Sequence, residues 1–221
     1  MSTKQNLITR TVELAMTVTK EYIGKGSFVI DATCGNGCDT LELTKAVFGD
    51  GDLAGDGPGS ADSAPSAGNE VYADAGRILA MDIQESAVKR MRELLGSRLS
   101  PRAAGRVEIV CDSFVRMRSC ADGRAPDAVV FNLGYLPGGD KDITTTAETT
   151  LTGLAEALDI LNTGGIITTV LYSGHPEGAR EKAAVLEWAS GLDPRRFHVV
   201  YASLPNQKND PPEILWITKK K

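Results

Sequence analysis

With 221 residues and 42% hydrophobic content, the chain suffices for one α/β domain with a complete core and is short for two, so a single domain over residues 1–221 is expected. No charged leader precedes an apolar run, no eighteen uncharged apolar residues stand together, and Cys34, Cys38, Cys111 and Cys120 form no C-x-x-C pair; this disfavours a membrane span, an exported disulfide scaffold and a finger-type metal site, and leaves a soluble cytoplasmic protein with reduced thiols and no metal as the expectation. The formal charge of −5 argues against a nucleic-acid partner only until its distribution is read, because residues 49–76 hold six acids and no Lys or Arg, the remainder carries +1, and RNA binding is therefore permitted without being demanded.

In chain order, apolar runs alternate with amphipathic segments of helical length, the pattern of parallel strands joined by crossover helices. A helix over 8–22 leads to a strand over 28–32 and a helix over 39–47. Segment 49–76 has too little apolar content to pack and reads as a mobile low-complexity insertion, not a domain. Beyond it the pattern predicts a strand over 77–82, a helix over 86–95, and strands over 107–112 and 127–132. A Gly-rich loop, a helix over 147–161, a strand over 166–172 and a helix over 176–190 follow. The last strands, 197–204 and 213–218, are joined by a loop too short for a crossover helix and should pair antiparallel as a hairpin. An α/β architecture with a seven-stranded, mostly parallel sheet ending in such a hairpin resembles the Rossmann-like class I methyltransferase fold.

The first strand runs through Ile30-Asp31-Ala32-Thr33 into Cys34-Gly35-Asn36-Gly37-Cys38-Asp39-Thr40 and directly into a helix. Gly35 and Gly37 permit close backbone approach to a ligand, and the helix start offers free N–H groups to the same crevice. A dinucleotide turn has a third glycine where this chain has Thr40, which favours a cofactor without a pyrophosphate; a plain tight turn is the alternative. Asp82 ends the next strand, where a carboxylate accepts from both ribose hydroxyls or caps the following helix. It lies 45 residues after Gly37, and removing the 28 residues of 49–76 leaves 17, close to the usual spacing of about 20. Gln84 is placed to cover the ribose or adenine edge. Asp112 and Ser113, at the third strand end, either read adenine or cap a helix. Together these strand ends put a nucleoside-sized ligand across the C-terminal edge of the sheet.

The fourth strand ends in Phe131-Asn132-Leu133-Gly134-Tyr135-Leu136-Pro137-Gly138-Gly139-Asp140-Lys141, facing the position of a reacting methyl group. Asn132 is placed to accept a hydrogen bond from an attacking amine, and Tyr135 to stack on a base; a structural turn with a core aromatic is the alternative.

These residues carry a resemblance. Asp31-Ala32-Thr33 with Gly35-Asn36-Gly37 and Asp39-Thr40, Asp82-Ile83-Gln84, the string from Asn132 to Lys141, Glu148-Thr149-Thr150, Gly174-His175-Pro176 and Asn206-Gln207-Lys208-Asn209 resemble the MnmM (YtqB-like) methyltransferases, also described as putative rRNA methylases. The likeness covers nearly the whole chain except 49–76 and departs from the family at Cys38, where a histidine is common. It implies S-adenosylmethionine (SAM) as cofactor, held by Gly35, Asn36, Gly37, Asp39, Thr40, Asp82, Gln84, Asp112 and Ser113. It implies tRNA as partner and methylation of the aminomethyl group on wobble uridine 34, giving 5-methylaminomethyl-(2-thio)uridine.

The transfer is read as direct, with Asn132, Tyr135 and Asp140 as catalytic candidates; an ammonium must first lose a proton, to solvent or to a carboxylate such as Asp140. Lys141, Tyr172, His175, Asn206, Gln207 and Lys208 are the substrate-binding candidates. His175 either contacts substrate or holds its loop, and residues 206–208 either read an anticodon base or cap their turn. No cysteine nucleophile is assigned, and a homodimer remains compatible with the sequence. A methyltransferase of rRNA or of a small amine is the alternative activity. A nicotinamide oxidoreductase would need the third glycine, and a cofactor-free RNA-binding module would have no use for Asn36, Asp39, Asp82 and Gln84.

Overall fold

The computed structural model describes residues 10–48, 76–134, 138 and 144–221. The expected insertion apart from Gly76, the first residues of the opening helix, and the candidates Tyr135, Asp140 and Lys141 lie outside the described residues. The elements are α1 (Thr11–Lys20), β1 (Phe28–Asp31), α2 (Cys38–Phe48), β2 (Arg77–Asp82), α3 (Glu85–Arg98), α4 (Pro101–Ala104) and β3 (Val107–Cys111). A 3-10 turn (Phe114–Arg116) runs into α5 (Met117–Cys120), followed by β4 (Ala128–Asn132), α6 (Ala147–Ile160), β5 (Ile166–Leu171), α7 (Pro176–Ser190), β6 (Phe197–Ala202) and β7 (Glu213–Lys219).

All seven expected strands form. The short helices α4 and α5 and the 3-10 turn were not expected, because segments of three or four residues are too short for a helical period to be visible. Local chemistry makes them: Ser100 caps α4 by accepting from the Ala103 N–H at 3.2 Å, with Pro101 at the first helical position.

The sheet has the order β3-β2-β1-β4-β5-β7-β6. The strands from β3 to β5 pair parallel, and β7 pairs antiparallel with both β5 and β6. The expected terminal hairpin is therefore present, with its second strand inserted between β5 and β6. All four residues of β1 and all six of β5 are buried, as continuous apolar strands covered on both faces must be.

One face packs α1, α2 and α3 through Met16, Leu43, Val47, Met91 and Leu95 onto Ile78 and Val130. The other packs the 3-10 turn, α6 and α7 through Phe114, Leu154, Leu158 and Val185 onto Phe131 and Ile217. Phe114 meets Phe131 edge-on at 5.6 Å, and Gly153 of α6 makes room for this pair, since a Cβ there would lie 2.5 Å from the Phe114 ring. β1 lies between β2 and β4, so the strand order reverses at that point. A crevice opens there, outside the strand C-termini.

Candidate functional site

That crevice holds a cavity of about 660 Å³ lined from five strand exits: Ala32 to Asn36 with Cys38 and Asp39, Asp82 to Gln84, Asp112 to Phe114, Asn132 to Gly134, and Tyr172, Gly174 and His175. Asp82 organises its centre. One carboxylate oxygen accepts the Gly35 N–H at 3.0 Å and the other the Gln84 N–H at 2.8 Å, joining residues separated in sequence by the 49–76 segment. Helix α3 begins after Gln84 without any side-chain cap, so Asp82 is not the helix cap that the sequence left open. It lines the cavity, with lone pairs to spare beside each backbone bond.

The glycine turn divides its labour. Gly35 (φ 49°) lines the cavity and donates to Asp82. Gly37 (φ 84°) does not line it; a Cβ there would lie 2.9 Å from the Met91 side chain, so this glycine serves helix packing. Thr40, expected to bind cofactor, is also placed elsewhere: it is fully buried and its hydroxyl donates to Asp31. Asn36, Asp39 and Gln84 line the cavity as expected. Asp112 and Ser113 line it too while serving local structure, since the Asp112 carboxylate accepts the Ser113 N–H at 2.7 Å and the Ser113 hydroxyl caps the 3-10 turn.

Asp31, not among the sequence candidates for the site, is buried under the turn. Burial, reinforced by the Asp39 charge, pushes its carboxyl up to about 7 against the opposing bond from Thr40. The native state therefore keeps this proton where an unfolded chain, titrating near 3.8, has lost it. Native protein binds more protons between those values, so stability falls as pH rises through that window. Asp31→Asn should gain stability relative to wild type as pH increases from 4 to 7, measured by urea unfolding; a difference independent of pH contradicts this. Burial and the nearby Asp31 and Asp82 charges also push the Cys34 thiol far up, which keeps it neutral and unsuited to nucleophilic attack.

On the opposite wall, the Asn132 N–H donates to the Thr33 hydroxyl at 2.6 Å, and its side-chain nitrogen donates to Asp39 at 3.0 Å. Burial, reinforced by the Asp39 charge and opposed by the Asn132 amide, raises the Tyr172 phenol. Burial likewise raises the Asp39 carboxyl, opposed by the Asn132 bond. His175 resolves its two readings partly toward structure: its Nδ1 accepts the Gly178 N–H at 3.0 Å as the α7 cap, which leaves Nε2 as the protonated nitrogen of a neutral ring, and the residue still lines the cavity.

Sequence reading missed a further network. Glu181 of α7 is buried and accepts from the Thr150 and Thr145 hydroxyls, while the Thr145 oxygen accepts the Gly134 N–H at 3.1 Å. It ties α6, α7 and both described ends of the 134–145 loop together. The Thr144-Thr145-Thr146 run was the available signal. Asn206, Gln207 and Lys208 are exposed and do not line the cavity, although Asp210 of the same loop does.

Among the described lining residues stand the carboxylates of Asp39, Asp82, Asp112 and Asp210 and no Lys or Arg. With Asp112 ion-paired to Arg116 at 3.2 Å, the remaining carboxylates favour a ligand carrying positive charge and disfavour a pyrophosphate. The volume lies within the range of about 300–1,000 Å³ usual for small-ligand sites.

Residues 78–218 match the family model described as "Putative rRNA methylase". The chain is 37% identical over 184 residues to an Arabidopsis thaliana protein named tRNA (mnm(5)s(2)U34)-methyltransferase, chloroplastic; the match covers 83% of this chain and spans 60% of that protein. A Clostridium thermocellum structure described as a putative rRNA-methylase is 34% identical with TM-score 0.78, covering 95% of this chain and 97% of its own. A Streptococcus mutans structure described as a putative methyltransferase, in complex with SAH, is 29% identical with TM-score 0.74, covering 95% and 98%. The fold of those structures is the one described above, a class I methyltransferase sheet.

Proposed function

The chain belongs to the putative rRNA methylase family, and from that premise we propose that it is a SAM-dependent N-methyltransferase acting on the aminomethyl group of 5-aminomethyl-(2-thio)uridine at tRNA position 34. The observation that carries the cofactor class is the acid-lined, nucleoside-sized cavity around Asp82. Asp82 would hold the ribose, Gln84 with Asp112 and Ser113 the adenine side, and the Gly35-Asn36 turn the amino-acid end. SAM would supply a methyl group on a sulfonium whose sulfur leaves as the neutral thioether of SAH, so no covalent enzyme intermediate is needed.

The protein's own contribution is to hold the acceptor nitrogen in line and to exclude water. Asn132 faces the cavity with its strand end fixed to Thr33, and the amine's proton passes to solvent or to a carboxylate. The substrate rests on the name borne by the Arabidopsis relative, which spans more than this chain, together with the sequence resemblance. Among the described residues no helix is long and apolar enough to cross a membrane, and the reading places the enzyme with tRNA in the cytoplasm. A homodimer is compatible with this reading, and sedimentation equilibrium tests it.

The test of substrate class is transfer of label from methyl-tritiated SAM to purified tRNA, rRNA and small primary amines in parallel. Label on tRNA alone supports the proposal. Label on rRNA or on free amines instead would replace the substrate while leaving the enzyme class.

A further inference from the structure

An asparagine presents either a donor or an acceptor, depending on how its amide is turned, and its neighbours decide which. At Asn132 two hydrogen bonds from different elements fix one residue. From α2, the Asp39 carboxylate accepts from the side-chain nitrogen at 3.0 Å. From the exit of β1, the Thr33 hydroxyl takes the backbone N–H at 2.6 Å and fixes the Cα that carries it. An ionised carboxylate only accepts, so the amide nitrogen must face Asp39 and the carbonyl oxygen is the end left toward the cavity, which Asp39, Asn132 and Tyr172 all line.

We propose that Asp39 is a positioning residue: it locks the Asn132 amide with its carbonyl oxygen toward the incoming nucleophile, making the site selective for a group that donates a hydrogen bond. The inference rests on the methyltransferase reading above and deepens it. An amine N–H satisfies the carbonyl and is held with its lone pair directed at the methyl group. A pyrimidine ring carbon offers no N–H or O–H donor and leaves the acceptor unpaired, a large discrimination wherever a site is built around one hydrogen bond. Asp39 thus acts through Asn132 rather than on the cofactor, the role its place in the glycine turn suggested.

The test compares Asp39→Asn, Asn132→Asp and the double exchange Asp39→Asn with Asn132→Asp. Three readouts are taken: SAH affinity by calorimetry, kcat and KM on tRNA, and the Asn132 side-chain amide resonance, identified by its loss in Asn132→Asp. Asp39→Asn permits either amide orientation; it should shift that resonance, leave SAH affinity within about threefold, and lower kcat about 10- to 100-fold with little change in KM. The double exchange restores a donor at 39 and an acceptor at 132, and should recover at least half of the lost logarithm of kcat.

An Asp39→Asn enzyme with unchanged kcat, or one whose SAH affinity falls as far as its turnover, overturns the proposal, as does a double exchange no better than the single variants. Should wild type bind SAH and methylate no tRNA while the amide resonance still moves in Asp39→Asn, the tRNA reading fails and the positioning role stands.

Discussion

Asp82→Ala is expected to weaken SAM and SAH binding by at least about 100-fold and to bring kcat/KM down with it. Hydrogen bonds to a charged group contribute about 1.5–3 kcal/mol each, and a ribose offers two hydroxyls to one carboxylate. The same carboxylate receives the Gly35 and Gln84 N–H groups, so truncation also loosens the turn on which the rest of the cofactor would lie. Asp82→Asn retains one acceptor oxygen and should fall in between, at roughly 10-fold. Calorimetric titration with SAH distinguishes these outcomes, and thermal unfolding shows whether the variants stay folded. Wild-type affinity in folded Asp82→Ala would remove the ribose assignment.

Asn132→Ala is expected to show the opposite split. SAH affinity should stay within a few-fold of wild type, while kcat on tRNA falls about 100-fold or more, since a misplacement of about 1 Å in a reacting group costs that much. The proposed cofactor side of the cavity lies at the exits of β1, β2 and β3, whereas Asn132 ends β4. Single-turnover rates with saturating SAM measure the effect directly. A variant with wild-type turnover contradicts any role for this amide in orienting the nucleophile.

The two variants also show what sequence made legible. Asp82 was read from its strand end and from its spacing once the 28-residue segment 49–76, with its six acids, was set aside, and its bond to the Gly35 N–H closes that distance in space. Helix α7 and strand β2 were predicted to their end residues because each carries boundary chemistry: Pro176 at the start of one and Asp82 at the end of the other. The insertion of β7 between β5 and β6 was not legible, because strand pairing depends on contacts between segments whose local patterns are alike.

Within the site, Thr40 reads as a ligand contact because it is a hydroxyl at a helix start, yet its side chain donates to Asp31. Only the burial of Asp31 beneath the turn shows that it is committed inward. Glu181 escaped because a lone glutamate on an amphipathic helix normally faces solvent. Its burial arises when α6 packs on α7 and brings the hydroxyls of Thr145 and Thr150 to its carboxylate. The Thr144-Thr145-Thr146 run is the mark the Glu181 network leaves in the sequence, whereas the inward turn of Thr40 leaves none.

The most direct test of the central claim incubates the enzyme and SAM with tRNA from cells that stop at the 5-aminomethyl stage, then digests the tRNA and weighs its nucleosides. The account predicts a one-methyl mass increase on the 5-aminomethyl-(2-thio)uridine nucleoside that is absent with Asp82→Ala. A preparation that binds SAH yet leaves that nucleoside unchanged contradicts it.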